Sequence, residues 1–395
     1  MLLVALLWVA LALNYIDRQM VFSIFPALKA ELQFTDVQLG LIGSIFTWVY
    51  SLCMPVAGRL ADRFRRDRMI ILSLILWSAA TAGCGLAGSV TAFLIWRAVM
   101  GITESLYYPA AVGVIASTHS AKTRSRALGI HQSAQLFGII AGGWYGGWMA
   151  DHWGWRTGFT LAAGAGVLYS LVLARGLPAN RAEPETESVN PFQAGAALFR
   201  GRCYLALSAA FFAFCAMLWI FYAWLPNHLV ERFGLSMTDS GLRATLFVQL
   251  SCAAGVVAGG FLADKLSPTL PPARYYTAAA GILLSAPFGY LTFAAESLTM
   301  ATLFSSAYGL TSGLMVANVF AAAFDVIGKK NFGLASGVLN MIGGIAASIL
   351  IFAAGIAKNT IGFSGLLQYV AAACVLIALV LIAVARRHYL HERVA

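Results

Sequence analysis

Four ionisable residues lie inside apolar stretches of the sequence, where charged side chains are rare. Asp17 and Arg18 are neighbours within the apolar run over residues 1–28, and Arg97 and Glu104 are seven residues apart in a later run. A charge at the centre of a bilayer costs roughly 2.5–3.5 kcal/mol on insertion scales, so such residues usually pair, face a cavity and have a function. Two acids and two bases that share one aqueous cavity are therefore the main functional signal in this sequence.

The spacing of these residues predicts how their side chains pair. Residues seven apart on a helix lie about two turns apart on one face, whereas adjacent residues point roughly 100° apart. Asp17 and Arg18 can therefore each meet a different member of the later pair, and we expect Asp17 beside Arg97 and Arg18 beside Glu104. An Arg that can change its partner makes the pKa of a neighbouring carboxyl depend on conformation, which is what proton coupling requires.

This pairing gives each residue a hypothetical role. Glu104 binds the coupled proton and releases Arg18, whose guanidinium stays charged and can bond a substrate carboxylate through two N–H groups. Asp17 and Arg97 form a second titrating or gating pair. The alternative is that all four residues form a static structural network.

The bulk composition indicates a protein that crosses a membrane many times. The chain of 395 residues is 60% hydrophobic and 11% charged, with a mean hydropathy of +0.79, whereas a soluble domain carries about 25% charge. The net charge of +10 does not indicate a nucleic-acid partner, because the basic residues lie in loops that flank the apolar runs. The six Cys are scattered through the chain, which indicates neither disulfides nor a metal site.

The apolar runs predict an all-α polytopic protein with twelve transmembrane helices. We expect the first helix to be continuous and not a signal peptide, because its start lacks basic residues and its apolar character resumes after Arg18. The predicted spans are residues 3–28, 37–60, 69–88, 92–117, 125–149, 155–176, 204–230, 239–264, 274–294, 298–326, 331–356 and 363–386.

The one long polar stretch predicts the domain organisation. Residues 177–203 are expected to form a cytoplasmic linker between a six-helix bundle over residues 1–176 and a second bundle over residues 204–395 with a short cytoplasmic tail. Of the 26 Lys and Arg residues, nineteen lie in loops on one side of the membrane, five lie in loops on the other, and Arg18 and Arg97 are the remaining two. The positive-inside rule therefore predicts that both termini are cytoplasmic, in a bacterial inner membrane.

A short motif recurs about half a chain length later. Gly58–Arg63 reads Gly-Arg-Leu-Ala-Asp-Arg, and Gly260–Lys265 reads Gly-Phe-Leu-Ala-Asp-Lys. Two similar six-helix halves with a site between them near the midplane are typical of rocking transporters. Chance similarity of two cytoplasmic loops is the alternative.

The first copy of this motif resembles the loop signature of the major facilitator superfamily. The resemblance extends over residues 58–68, although Arg65 stands where the signature usually has Gly. It implies the major facilitator fold, with two pseudo-symmetric six-helix bundles. It also implies a cytoplasmic gate at Gly58, Asp62, Arg63 and Asp264. The alternative is a basic loop that only sets the topology.

Four further motifs are similar to the anion:cation symporter family, whose members carry sugar acids and other organic anions. They are Asn-Tyr-Ile-Asp-Arg at 14–18, Arg-x3-Gly-x2-Glu-x4-Pro at 97–109, Phe-Tyr-Ala-Trp-Leu-Pro at 221–226 and Ala-Ser-Gly-Val-Leu-Asn at 335–340. The resemblance implies a secondary-active, proton-coupled symporter of a small organic anion that works by alternating access. Its partners would be the anionic substrate, protons and the lipid bilayer, with the chain as a monomer and no cofactor. Spinster-like carriers of lysolipids share the first two motifs and are the alternative.

Several polar residues are candidates for the substrate site beside Arg18. Tyr50 and Gln135 match substrate-contacting positions of the symporter family, as Asn340 matches its last motif. His131 lies one turn from Gln135, and for it a packing role is the alternative. For the Asn and Tyr residues the alternative is interhelical bonding. The full set is Tyr15, Tyr50, His131, Gln135, Tyr222, Trp224, Asn318 and Asn340.

Glycines spaced four apart predict close helix packing rather than chemistry. They occur at Gly138, Gly142 and Gly146, at Gly143 and Gly147, and at Gly255 and Gly259. The sequence has no Walker-type GxxxxGK[ST] motif, which argues against ATP-driven transport, and no metal-ligand cluster. An enzyme is not expected, because the intramembrane residues pair acid with base and supply no nucleophile. A membrane receptor is a further alternative, which the repeated halves disfavour.

Overall fold

The computed structural model describes residues 1–180, 195, 197–328 and 331–394, and every regular element in them is a helix. Most of the predicted linker, residues 181–194 and 196, lies outside the described residues. The helices are α1 (Leu2–Ser23), α2 (Phe25–Leu32), α3 (Asp36–Arg63), α4 (Arg66–Leu86), α5 (Val90–Ser105), α6 (Tyr107–Thr118), α7 (Ala121–His152), α8 (Trp155–Gly176), α9 (Arg202–Phe233), α10 (Met237–Leu266), α11 (Ala273–Ala294), α12 (Leu298–Val326), α13 (Phe332–Lys358) and α14 (Gly362–Glu392).

The helix lengths and composition confirm an all-α polytopic membrane protein. Eleven segments of the described chain are long and apolar enough to cross a membrane, with α5 and α6 together forming the segment Val90–Thr118. The remaining predicted span, residues 125–149, lies in α7, which is less apolar because it carries His131, Gln132 and Gln135. At 32 residues α7 is nevertheless roughly 48 Å long, enough to cross the hydrocarbon core.

Two prolines divide predicted spans into shorter helices. The prediction of one continuous helix over residues 3–28 is wrong, because the chain breaks at Ile24 between α1 and α2. Pro26 has no N–H to bond the carbonyl of Phe22 and its ring crowds that carbonyl, so the helix restarts with Pro26 in its first turn. Pro109 interrupts the fourth span in the same way, and the chain breaks at Leu106.

The described residues form two compact units. One consists of Met1–Glu187 with Tyr222–Thr245, and the other of Ser188–Phe221 with Leu246–Ala395, as far as these ranges are described. The end of α9 and the start of α10 thus pack with the first unit. There the Asp151 carboxylate accepts hydrogen bonds from the backbone N–H groups of Met237 (3.3 Å) and Thr238 (2.7 Å), which would otherwise lack acceptors at the start of α10. The division at residues 176 and 204 stays a prediction.

Glycine contacts fix how α1 packs on α7 in the first unit. A Cβ at Gly138 would lie 2.6 Å from Tyr15 Cβ, one at Gly142 would lie 2.8 Å from Ile16 Cα, and one at Gly146 would overlap Met20. Only glycine leaves room for this approach, so the backbones of the two helices touch over two turns. The predicted packing ridge is confirmed, and it fixes the rotation of α1 that decides where Asp17 and Arg18 point.

The second unit uses the same device between α10 and α12. A Cβ at Gly255 would overlap the carbonyl of Leu310, and one at Gly259 would lie 2.8 Å from Leu314 Cα. This second glycine ridge is therefore also confirmed.

Candidate functional site

A helix break positions the acid of the predicted site. Glu104 lies in the last turn of α5, just before the break at Leu106, and at the midpoint of the apolar segment Val90–Thr118. Arg97 lies two turns earlier on the same helix. Both residues are buried, with Arg97 0% and Glu104 1% exposed. A buried ion needs a partner, so the surroundings of each residue decide what it can do.

Arg18 of α1 is the partner of Glu104. Arg18 Nε donates a hydrogen bond to Glu104 Oε2 at 2.6 Å, and their side chains are 11% and 0% exposed. This contact confirms the pairing predicted from the spacing. A charge-assisted bond of this length between largely buried groups is strong, and it depends on the charge of Glu104.

Three aromatic rings surround the Arg18 guanidinium. Its Cζ lies 5.0 Å from the ring centroid of Tyr15, 5.0 Å from that of Phe46 and 4.3 Å from that of Tyr50. These separations are within the range of a cation–π interaction. The rings therefore hold a guanidinium without supplying a negative charge, which keeps Arg18 available to an anion.

The second predicted pair does not form. Among the described residues neither Asp17 nor Arg97 makes an ion pair. Asp17 Oδ2 accepts a hydrogen bond from Thr81 Oγ1 at 3.4 Å, whereas Arg97 Nε donates to the carbonyl of Ile42 at 3.4 Å and its Nη1 lies 3.2 Å from Met100 Sδ. With Arg18 turned toward Glu104, its neighbour Asp17 points roughly 100° away, toward α4. The prediction of a direct Asp17–Arg97 contact is therefore wrong.

Several buried polar atoms around these residues have no hydrogen-bond partner within the described part of the chain. They are Asn14 Nδ2, Trp77 Nε1, Arg97 Nη2 and Glu104 Oε1, of which Asn14 faces the Glu104 carboxyl and Trp77 faces the Asp17 carboxyl without a short hydrogen bond. Buried polar atoms are normally satisfied by protein, water or a ligand. Four such atoms near one ion pair indicate a site that handles polar species inside the apolar bundle.

The other candidates of the first unit fall into two groups. Tyr15, Tyr50 and Gln135 are half-buried, which is compatible with lining a binding site. His131 is fully buried, and its Nε2 lies 3.1 Å from Tyr107 Oη. That hydroxyl donates its one proton to the Leu7 carbonyl at 2.7 Å, so it accepts from His131, whose Nε2 carries a proton. His131 thus occupies a packing position, as the alternative interpretation expects.

A hydrogen bond that the sequence analysis missed joins α1 to α9. Pro226 lies inside α9 and has no N–H, so the carbonyl of Tyr222 four residues earlier loses its helical partner. Gln19 Nε2 donates to this carbonyl at 3.0 Å, and Gln19 is buried. Next to it, Phe25 and Trp224 make an edge-on ring contact with centroids 5.3 Å apart. Tyr222 is thus tied to α1, the helix that carries Asp17 and Arg18, and Trp224 is tied to the start of α2.

The two predicted asparagines of the second unit differ in exposure. Asn318 is buried, and its Nδ2 donates to the carbonyls of Gly259 (3.2 Å) and Leu314 (2.9 Å). Asn340 is exposed, and its Nδ2 donates to the carbonyl of Ser336 at 3.1 Å. Asn318 therefore bonds helices together in this structure, whereas Asn340 keeps its side-chain oxygen accessible. Their roles in substrate binding stay predictions.

The predicted gate residues lie at the ends of α3 and α10, at matching positions in the sequence repeat. Asp62 pairs with Arg66 at 3.4 Å, and Asp264 pairs with Arg274 at 3.3 Å. The Asp62 and Asp264 side chains are 67% and 74% exposed, so both pairs are weak. Arg63 is exposed, and a Cβ added at Gly58 would meet nothing. The latch function stays a prediction.

An exposed ion pair outside the membrane segments provides a contrast to the buried site. Arg156 Nε bonds Glu31 Oε1 at 2.8 Å, with the side chains 35% and 48% exposed. The Arg156 hydrogen bond, helped by a second one from the Trp155 indole, lowers the pKa of Glu31 below its usual value.

Three residues with direct roles in this geometry were missed: Gln19, Phe46 and Thr81. Phe46 and Thr81 lie in apolar runs, where a ring or a hydroxyl is normally core. Gln19 had a usable signal, because Pro226 frees the carbonyl of Tyr222 and a polar side chain follows Arg18 in the same apolar run.

Known proteins similar to this chain include several named transporters. A probable galactarate/D-glucarate transporter, GudP, of Bacillus subtilis (strain 168) is 26% identical over 94% of this chain and 88% of its own length. A D-galactonate transporter of Escherichia coli O6:H1 is 23% identical over 95% of this chain and 93% of its own length. A probable sulfoacetate transporter, SauU, of Cupriavidus necator is 28% identical over 85% of this chain and 82% of its own length.

A solved structure shares the fold. A bacterial homologue to the human lysosomal transporter Spinster, in an inward-facing and unoccupied conformation, superposes with a TM-score of 0.82 at 21% identity, over 100% of this chain and 98% of its own. The relatives are named as transporters, so the protein is a transporter and not an enzyme. Because residues 7–351 match the family described as Major Facilitator Superfamily, the chain belongs to that superfamily.

Proposed function

We propose that the protein is a proton-coupled symporter that imports a small organic anion, either a sugar acid or a related carboxylate. The observation that carries this proposal is the Arg18–Glu104 ion pair. It joins a permanently charged guanidinium to a buried carboxylate that can lose its charge by binding a proton. One proton can therefore convert this pair into an anion site.

The cycle follows from the charge on Glu104. While Glu104 is ionised, it occupies the Arg18 guanidinium and repels a second carboxylate. A proton on Glu104 removes that repulsion and weakens its bond to Arg18. The fork of N–H groups on Arg18 can then bond a substrate carboxylate. Loss of the substrate leaves Arg18 without an anion, which favours loss of the proton from Glu104 and return to the starting pair.

The relatives support an anion as the substrate. The names of GudP, the galactonate transporter and SauU all refer to small anions that carry a carboxylate or a sulfonate. Tyr15, Tyr50 and Gln135 would supply hydroxyl and amide groups for a polyhydroxylated substrate. Asn340 would be a further contact for the substrate, and Asp17 would be a second titrating group.

The remaining features of the proposal come from the charge pattern and the family. The two halves would rock about the site and expose it alternately to either side, with Gly58, Asp62, Arg63 and Asp264 at the cytoplasmic gate. Both termini would lie in the cytoplasm, in a bacterial inner membrane. The chain would act as a monomer, with the proton as coupling ion. The likeness to the Spinster homologue concerns the fold alone, so no observation here favours a lysolipid.

Uptake into proteoliposomes tests this proposal. Galactarate, D-glucarate, D-galactonate and sulfoacetate would be offered with an inward proton gradient, alongside a lysolipid. With a gradient of one pH unit, coupling to a single proton can support about tenfold accumulation of a monoanion. We expect gradient-driven accumulation by the wild type. Glu104→Gln should abolish it but keep exchange of labelled for unlabelled substrate, because its amide cannot titrate.

The matched control is Glu31→Gln, which removes an exposed carboxylate and should accumulate substrate as the wild type does. Accumulation that survives in Glu104→Gln would contradict the coupling role. Transport of the lysolipid without any of the anions would replace the proposal with the Spinster-like alternative.

A further inference from the structure

A close crossing of α3 and α5 lies at the charged site. Gly101 is four residues after Arg97 and three before Glu104, on the same face of α5. A Cβ at Gly101 would lie 2.7 Å from the carbonyl oxygen of Phe46 and 3.1 Å from the backbone nitrogen of Tyr50. The backbones of the two helices therefore touch at this level, which places the Phe46 side chain beside Arg97 of α5.

The Phe46 ring contacts both buried guanidinium groups. Its centroid lies 5.0 Å from Arg18 Cζ and 4.8 Å from Arg97 Cζ, and the residue is 4% exposed. One turn earlier, Ile42 accepts a hydrogen bond from Arg97, and one turn later, the Tyr50 ring stacks on Phe46 and faces Arg18. One face of α3 thus holds the two cations at successive levels, with Phe46 shared by both.

Two cations and two carboxylates in one cluster allow more than one pairing. The structure contains one ion pair among them, Arg18 with Glu104, while Arg97 has an unpartnered Nη2 and Glu104 an unpartnered Oε1 within the described residues. A direct Arg97–Glu104 bond does not form, and the Glu104 carboxyl interacts instead with Arg18 and the Asn14 amide. The ring that both guanidinium groups contact is what distinguishes this arrangement from a simple four-charge network.

We propose that Phe46 is a positioning residue that keeps the two arginines on separate partners. With the ring in place, a proton on Glu104 leaves Arg18 against Phe46, Tyr15 and Tyr50, where it can bind an anion. Without the ring, Arg97 can reach Glu104, hold it ionised, and so separate proton binding from substrate binding. This inference rests on the proposed function and adds the residue that enforces its coupling.

The decisive variant is Phe46→Leu, which keeps an apolar side chain but has no π face for a cation. Phe46→Tyr restores a ring. Phe93→Leu is the packing control, because Phe93 is equally buried on α5 but contacts Phe34, Trp155 and Phe159 instead of an arginine. In proteoliposomes we expect Phe46→Leu to weaken both activities, with a larger loss, about tenfold, in proton-driven accumulation than in exchange. Phe46→Tyr should recover the accumulation.

A second measurement does not depend on transport. Infrared difference spectra of the purified protein report the carbonyl band of the protonated Glu104 carboxyl, which Glu104→Gln identifies by its absence. Glu104 is faced by Tyr15, Asp17 and Arg18 from α1 and by Arg97 on its own helix. In Phe46→Leu the approach of Arg97 should move the titration midpoint of this band to lower pH, and Phe46→Tyr should reverse the shift.

The outcomes separate this inference from the proposed function. An unchanged infrared midpoint in Phe46→Leu overturns the positioning role, whatever the transport result. Equal losses of exchange and accumulation in Phe46→Leu and Phe93→Leu, with no midpoint shift, would show a packing effect and also overturn it. A shifted midpoint in a protein that moves none of the anions would support the role of Phe46 while the proposed substrate class fails.

Discussion

The two buried arginines of the first unit differ in what neutralises their charge. Arg18 has the Glu104 carboxylate at 2.6 Å and three aromatic rings around its guanidinium, and its side chain is 11% exposed. Arg97 is fully buried, and within the described residues it bonds a backbone carbonyl and a thioether sulfur and contacts the Phe46 ring. The partner of Arg18 can be switched off by a proton, whereas those of Arg97 cannot. This difference supports the proposed role of Arg18 in substrate binding and favours a fixed electrostatic role for Arg97.

Removal of Arg18 should have the largest effect. Truncating one partner of a buried charge pair costs about 2–5 kcal/mol, so Arg18→Ala should lower uptake of the preferred anion at least about thirtyfold. Arg18→Lys keeps the charge but loses the two-pronged geometry. Its uptake should therefore lie between that of the wild type and that of Arg18→Ala. Membrane insertion, checked by immunoblot, should be unchanged. Near-normal uptake by Arg18→Ala would contradict the proposed substrate-binding role that distinguishes Arg18 from Arg97.

Replacement of Arg97 by Met should affect coupling without loss of stability. A buried cation without a carboxylate partner has a large desolvation cost, and an apolar residue of similar length removes that cost. We therefore expect an unfolding temperature in detergent at least equal to that of the wild type. Proton-driven accumulation should fall about tenfold, because Asp17 and Glu104 would then share one cation. A strongly destabilised Arg97→Met would show that Arg97 belongs to an essential structural network.

Mutation of the exposed Arg156–Glu31 pair should have the smallest effect. This pair shows what an ion pair contributes to stability when it is not buried. Because the folded pKa of Glu31 is lowered, its stabilising contribution is present above the usual carboxyl pKa and is lost as pH falls through the folded value. Glu31→Gln should cost at most about 1 kcal/mol of unfolding free energy at pH 7. The difference from the wild type should shrink in melts as pH falls below the usual carboxyl pKa and vanish below the lowered folded pKa. A difference that persists in acid would have to come from packing.

The sequence predicted the fold and one of the two charge contacts for definite reasons. Hydropathy fixes where helices cross the bilayer, and the seven-residue spacing fixes that Arg97 and Glu104 share a face. The prediction of an Asp17–Arg97 contact failed because backbone contacts at Gly138, Gly142 and Gly146 set the rotation of α1. Residue spacing alone does not give how closely the two helices approach there. The break at Ile24 was missed because apolar character continues through Pro26.

Phe46 was invisible for a different reason. A phenylalanine in an apolar run is indistinguishable from core until the helix crossing at Gly101 is known. Long-range packing, rather than local pattern, therefore decides which apolar residues belong to the site. His131 illustrates the converse, since a polar residue in an apolar run turned out to be packed against Tyr107.

The bond from Gln19 to the carbonyl that Pro226 frees can be removed by mutation from the Gln19 side but not from the Tyr222 side. Every residue type at position 222 carries the same backbone acceptor, so no substitution of Tyr222 can delete it. A suppressor of a Gln19 defect would arise instead at Pro226, where any other residue restores an N–H that competes for the same carbonyl. A double-mutant cycle for this link must therefore be built on Gln19 and Pro226, two side chains that do not form the bond with each other.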